Sequence, residues 1–208
     1  MKVSVHVGRD LPPATSAAIA RFRHKIFVER LGWSLPESGP REERDEFDRG
    51  DTMYIMFRDS HDDVVATVRL LPSTGPGLLI DNFPALLGDT PVPRNASVWE
   101  LSRLAAVWPT ADHRVLAIRT EPSPANPTSS ANTQHCALHA LLAESVRVAR
   151  LHGAIQFIGV TYVSMERLFR RIGVTAHRLG PVQRIDARQV AAYRIDFDPA
   201  TLAALNLA

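Results

Sequence analysis

A chain of 208 residues, 45% hydrophobic and 22% charged, is long enough for one well-buried domain and too short for two of ordinary size. Its formal charge of +2 gives no bulk support to nucleic-acid binding. The lone cysteine, Cys136, excludes a disulfide framework and a cysteine-based zinc site, and no apolar run approaches the roughly 20 residues that span a bilayer. The first residues lack the apolar core of a signal peptide. These features point to a single domain over residues 1–208 in a reduced, cytoplasmic protein, with no metal and with neither nucleic acid nor membrane as partner.

Val3, Val5 and Val7 alternate with polar residues and predict a first strand ending at Gly8. Ile19, Phe22 and Ile26 repeat at helical spacing and predict a helix from about Thr15 to Arg30. From Trp33 to Asp51 the sequence is rich in Pro, Gly, Glu and Asp and reads as a long irregular segment. Three strands follow, Met53 to Arg58, Val64 to Leu71 and Val98 to Val107, with His61-Asp62-Asp63 as a hairpin turn between the first two. Glu121 to Asn132 is dense in Pro, Ser, Thr and Asn and reads as open and mobile.

A second helix is expected from Gln134 to His152, with Leu138, Leu141, Leu142 and Ala149 on its apolar side and Gly153 as its stop. Ala154 to Thr161 suits a buried strand, and Met165, Leu168, Phe169 and Ile172 form a helical stripe ended by Gly173. A strand from Val190 to Asp196 and a short helix close the chain. The order predicts a three-layer α-β-α sandwich around a mixed central sheet.

Three clusters carry charge into apolar surroundings. Arg23 and Phe27 lie four apart on one helix face ahead of Trp33, an arrangement that, taken alone, reads first as a guanidinium snorkelling to water with its stem on the core. Asp45 and Asp48 flank Phe47; a solvated loop would look the same, but an anchored Phe47 would turn both carboxylates to one side. Arg69, Glu100 and Arg103 sit within strands, where a charge is costly unless paired, and a structural ion pair is the plain alternative to a site. In a regular strand Glu100 and Ser102 share a face while Arg103 points away, so joint use of Glu100 and Arg103 requires a bulge.

The runs Arg23-His24-Lys25-Ile26-Phe27-Val28-Glu29-Arg30-Leu31-Gly32-Trp33, Glu43-Arg44-Asp45-Glu46-Phe47-Asp48, Val68-Arg69-Leu70-Leu71-Pro72 and Trp99-Glu100-Leu101-Ser102-Arg103 resemble, in order and spacing, the acyl-homoserine-lactone synthases of quorum-sensing bacteria. The likeness continues more weakly through Val160-Thr161 and Met165 to Arg171. It implies a fold like that of the N-acetyltransferases, with an acyl tunnel beside a V-shaped opening in the sheet. Two substrates are implied, S-adenosyl-L-methionine and an acylated acyl carrier protein, with no separate cofactor.

By the resemblance Arg23, Phe27, Trp33, Asp45, Asp48 and Phe83 shape the S-adenosylmethionine site, and Arg69, Glu100, Ser102 and Arg103 belong to the catalytic network. Glu100, acting through a water, is the candidate base for the substrate amine, and N–H groups freed near Ser102 are candidate oxyanion donors. Leu104, Gly159, Met165 and Phe169 are candidate acyl-pocket walls. By the resemblance Gly159 falls where members that prefer 3-oxo chains carry a threonine; with no hydroxyl to bond the oxo group it favours an unsubstituted chain, and overall likeness to the family implies a medium length near C8. Arg147, Arg150, Arg167, Arg170 and Arg171 offer a basic face for an acidic carrier protein.

Two rival readings stand beside this one. A coenzyme-A-dependent N-acyltransferase would carry a glycine-containing pyrophosphate turn ahead of a helix, and none precedes either later helix. A non-catalytic acyl-ligand sensor would have no need of Arg69, Asp45, Asp48 and Glu100 together.

Overall fold

The computed structural model describes residues 1–35, 39–107, 127–185 and 187–208, and of residues 127–137 the backbone alone. These pack as two compact units, Met1–Arg69 with Arg103–Leu141 and Leu70–Ser102 with Leu142–Ala208.

In the first unit the alternating N-terminus forms β1 (Lys2–Val7), antiparallel to β2 (Met53–Arg58) with Val5 opposite Ile55. β2 neighbours β3 (Val64–Pro72), whose first six residues lie in this unit, as do the last four of β4 (Val98–Ala106). Asp59 organises the β2–β3 turn, its carboxylate accepting from His61 and Asp63 N–H at 2.8 and 3.0 Å. α1 (Pro13–Arg23) begins on a proline whose fixed φ suits a first helical position, and Ile19 packs on Tyr54 and Met56.

The helix expected to reach Arg30 changes character after Arg23. Residues His24–Arg30 form a wider turn, in which Leu31 N–H donates to Ile26 O at 3.0 Å, five residues back. Trp33 N–H reaches Phe27 O at 2.9 Å, so the chain folds back on the turn. Phe22, Ile26, Phe27 and Leu31 make one apolar cluster with Ala105.

In the second unit β4 runs parallel to β5 (Gln156–Tyr162), and β5 is antiparallel to β8 (Arg188–Asp196) over its whole length. Two short strands absent from the sequence reading, β6 (His177–Arg178) and β7 (Gln183–Ile185), also pair with β8. At two and three residues they are too short to show alternation. α3 (Met165–Arg171) buries Met165 and Phe169 and stops before Gly173, whose φ of 78° few side-chain-bearing residues adopt. α4 (Pro199–Ala204) is capped by Asp198, which accepts Thr201 N–H at 2.7 Å.

α2 (Pro127–Leu151) starts seven residues before the expected Gln134. Residues 127–132, read as part of an open stretch, are therefore helical, with Pro127 tolerated because it occupies the first turn. Residues 121–126 and the Cys136 side chain lie outside the described residues. Leu138, Leu141, Leu142 and Ala149 are all fully buried. The pairings are mixed among the described residues, β4–β5 parallel and β1–β2 and β5–β8 antiparallel, with helices between strands in sequence. Among the described residues no helix is long and apolar enough to cross a membrane.

Candidate active site

The irregular segment after Trp33 is built to carry carboxylates inward. Glu43 N–H donates to Ala20 O at 3.0 Å, docking the segment on the end of α1. Asp45 and Asp48 then close a reciprocal turn: Asp48 Oδ2 accepts Asp45 N–H at 2.9 Å, and Asp45 Oδ1 accepts Phe47 N–H at 3.0 Å. Phe47, 1% exposed, anchors the turn as its sequence position suggested.

Four buried side chains of the first unit, Arg23, Arg69, Arg103 and Glu43, meet the partly buried Asp45 and Asp48 there, three guanidiniums against three carboxylates. Arg23 Nε pairs with Glu43, and its Nη1 donates to Asp48 Oδ1 at 2.7 Å. Arg69 Nη1 pairs with Asp45 Oδ1, and its Nη2 donates to Asp45 Oδ2 at 3.0 Å. Arg103 donates from Nε and Nη2 to Glu43 Oε1 at 3.1 and 2.9 Å, and from Nη2 to Asp45 Oδ2 at 2.7 Å. Asp48 Oδ1 also accepts Tyr54 OH at 2.8 Å. Three cations and three anions leave the cluster formally neutral, which allows it to be this buried.

Electrostatics follow from that closure. Burial alone would raise the Asp48 carboxyl, but Arg23 and Arg69 hold it well below the ordinary carboxylate range. Asp45 and Glu43 are shifted the same way against burial, by Arg69 and by Arg23 and Arg103 respectively. Burial and the adjacent Asp48 push the Tyr54 phenol up. The snorkelling alternative for Arg23 is overturned, since the residue is 2% exposed. Its Nη2 is the one buried side-chain donor among the described residues with no hydrogen-bond partner, and Asp45 Oδ2 lies 3.9 Å away.

Phe27 and Trp33 stack with ring centroids 4.6 Å apart and 30° between planes. The Arg103 guanidinium lies 5.6 and 5.5 Å from the two centroids, so these aromatic faces already hold a cation of the protein itself. β4 reaches this geometry through a break in its alternation. Arg103 has a φ of 51°, a conformation costing an L residue about 1–2 kcal/mol, and Ser102 and Arg103 are consecutive buried residues.

The second unit holds the other expected residues except Leu104. Glu100, 1% exposed, accepts Leu78 N–H and Leu79 N–H at 3.0 Å each, an environment the sequence did not suggest for a base. Phe83 is half-buried directly after the helical turn Leu78–Asn82. The β4–β5 ladder ends at Glu100–Ile158, whereas β5 continues against β8 to Tyr162, as strands that part would do. A Cβ on Gly159 would fall 2.5 Å from Leu101 O, so close backbone packing is a sufficient reason for glycine there. Met165 and Phe169 are buried, and Leu104, in the first unit, is half-buried. Arg147 pairs with Glu144, while Arg150, Arg167, Arg170 and Arg171 are exposed.

Sequence reading missed Glu43 and Tyr54 as members of the cluster. Of the three carboxylates that the sequence singles out, Asp45 and Asp48 join the cluster while Glu100 accepts from the Leu78 and Leu79 amides, so the buried Glu43 is the third partner of the three arginines. Among the described residues no group of three or more His, Cys, Asp or Glu is arranged to hold a metal ion.

The family model for autoinducer synthase matches residues 11–205. An acyl-homoserine-lactone synthase of Ralstonia nicotianae is 45% identical over 208 residues, covering 100% of this chain and 94% of that one. Among solved structures, TofI in a ternary complex with an inhibitor and MTA superposes with a TM-score of 0.80 at 43% identity, covering 100% and 98% of the two chains. BjaI, a CoA-dependent acyl-homoserine lactone synthase solved with SAM and isopentyl-CoA, shares the fold at 21% identity and a TM-score of 0.78, covering 98% and 87%. The fold extends to an acyl-CoA N-acyltransferase from Pseudomonas aeruginosa, at 17% identity, a TM-score of 0.56 and coverage of 93% and 97%. With its mixed α/β fold, its ordered motifs and this extent of identity, the chain belongs to the autoinducer synthase family and is an acyltransferase.

Proposed function

We propose that this chain, acting as a single domain, makes an acyl-homoserine lactone from S-adenosyl-L-methionine and an acyl group carried by acyl carrier protein. The observation that carries the reading is the largely buried six-residue cluster beside stacked Phe27 and Trp33, with Arg23 Nη2 left over as a donor. A buried donor without an acceptor costs about 1–3 kcal/mol, and a substrate oxygen would remove that cost. Because the cluster is already neutral, the cationic substrate would be recognised by aromatic faces and fixed hydrogen bonds more than by net charge. Arg23, Phe27, Trp33, Asp45, Asp48 and Phe83 serve that recognition in this reading.

In the first step the amine nitrogen forms a bond to the thioester carbonyl carbon, the carbon–sulfur bond breaks, and the thiol leaves with the amine proton. Arg69, Ser102 and Arg103 belong to the region that fixes this geometry. In the second step the methionyl carboxylate attacks its own γ-carbon. The bond to the sulfonium breaks, its electron pair returns to sulfur, and neutral methylthioadenosine departs. Closure within one molecule gains chiefly from positioning.

The carrier protein is favoured as donor by the exposed arginines at the end of α2 and on α3, and by a sequence without the coenzyme-A pyrophosphate turn. In this reading Gly159, Met165 and Phe169 of the second unit, with Leu104 of the first also a candidate, contact an unsubstituted chain near C8, with only about 1–3 kcal/mol of discrimination per methylene. Purified protein with S-adenosylmethionine and octanoyl-carrier protein or octanoyl-CoA should release methylthioadenosine and octanoyl-homoserine lactone in equal amounts, faster with the carrier protein. Failure to form either product refutes the reading. Faster turnover with octanoyl-CoA reassigns the donor, and a length series assigns the chain.

A further inference from the structure

We propose that Glu100 is a positioning residue: its carboxylate fixes the start of the Leu78–Asn82 turn and, through Leu79, the placement of Phe83. This rests on the synthase reading, which gives Phe83 to S-adenosylmethionine binding.

A helical turn begins with N–H groups that have no partner inside it. Here two carboxylates take three of them. Glu100 Oε1 accepts Leu78 N–H and Oε2 accepts Leu79 N–H, each at 3.0 Å, and Asp81 Oδ2 reaches back to Gly77 N–H at 2.9 Å. A carboxylate is an acceptor only, so the match is chemically complete. Gly77 has an extended backbone, φ −153°, that any residue adopts; what it offers is space, since a Cβ there would lie 2.7 Å from Glu100 Oε2. Strand and turn are in close contact at this point.

The anchor transmits directly. Leu79, whose N–H Glu100 holds, accepts Phe83 N–H on its carbonyl at 3.3 Å, and Phe83 O accepts Leu86 N–H at 3.0 Å. Leu79 and Leu86 are 0% and 1% exposed, which ties both ends of the relay to the core. Meanwhile the chemistry has little need of a buried base. A free α-amine titrates near about 7.7–8.0, so much of the substrate amine is already unprotonated in mildly alkaline solution.

Two variants separate positioning from proton transfer. Glu100→Gln keeps one acceptor oxygen but presents an NH2 to the other amide, and Asp81→Ala loosens the same turn at a residue with no part in proton transfer. Steady-state kinetics over about pH 6 to 9 should show both variants raising KM for S-adenosylmethionine several-fold while the shape of the kcat profile persists. Amide exchange at Leu78, Leu79 and Phe83 should quicken in both. A fall in kcat for Glu100→Gln with unchanged KM and a lost limb of the pH profile would overturn the proposal in favour of a base. An unchanged KM or wild-type amide protection in Asp81→Ala would overturn it as well. Should the wild-type protein form no lactone, the synthase reading fails by itself, while amide exchange still tests the anchor.

Discussion

Replacing Glu43 with glutamine preserves shape and removes one charge from the centre of the buried cluster. The variant leaves three guanidiniums facing two carboxylates: Arg23 retains Asp48 at 2.7 Å, and Arg103 retains Asp45 at 2.7 Å. Breaking one partner of a buried ion pair costs about 3–5 kcal/mol, and with those remaining partners the loss should sit near the lower end, about 3 kcal/mol. In a chain of this size each kilocalorie shifts the melting temperature by about 2–4 °C, giving a fall of roughly 6–12 °C. Urea unfolding followed by circular dichroism should show a lower midpoint at unchanged slope. Glu144→Gln, which removes the partner of the half-exposed Arg147, is the matched control and should cost no more than about 1 kcal/mol. If Glu43→Gln costs no more than this control, the cluster is not the electrostatic unit described. The pH dependence supplies an independent check. Glu43, Asp45 and Asp48 are held below their ordinary range in the folded chain, so their contribution is present above about pH 4 and disappears as pH falls through the folded values. Glu43→Gln should therefore flatten the acid limb of the stability curve, and an unchanged limb would contradict the argument.

Arg103→Lys keeps the charge but loses the two-point contact with Glu43 and the planar face against Phe27 and Trp33; lactone formation should drop by roughly tenfold or more, as for one charge-assisted hydrogen bond of about 1.5–3 kcal/mol. Trp33 emission should shift in the same variant, and full activity would show that lysine suffices. Tyr54 and Tyr193, both raised by burial and by a neighbouring carboxylate, Asp48 and Glu166 respectively, should ionise above the ordinary tyrosine range in an alkaline absorbance titration. Tyr54→Phe should remove one of these late-titrating groups. Gly159→Thr puts a side chain against the Leu101 carbonyl and should destabilise the fold by about 1–3 kcal/mol in thermal melts, whatever it does to acyl preference. Wild-type stability in that variant would show that β4 and β5 can separate freely at this point.

The strands and helices were largely legible because burial imposes a period. Val3, Val5 and Val7 marked β1, and Met165, Leu168, Phe169 and Ile172 marked α3, with Gly173 as its stop. Where no period exists, the sequence was silent: β6 and β7 are too short to alternate, and polar residues hid the first turns of α2. The motif runs named the family and most of the charged cluster, since a charge in an apolar strand demands a partner whatever the fold. They could not name the partners. By the resemblance Asp45 and Asp48 belong to the S-adenosylmethionine site, yet the protein's own arginines occupy them, and Glu43, two residues ahead of Asp45 in the same charged run, closes the balance. Such pairings join residues 20 to 60 positions apart, and only folding sets those distances. Glu100 makes the same point. Its residue type and strand position marked it as costly to bury, while the tertiary structure supplied the two backbone amides that make its burial possible.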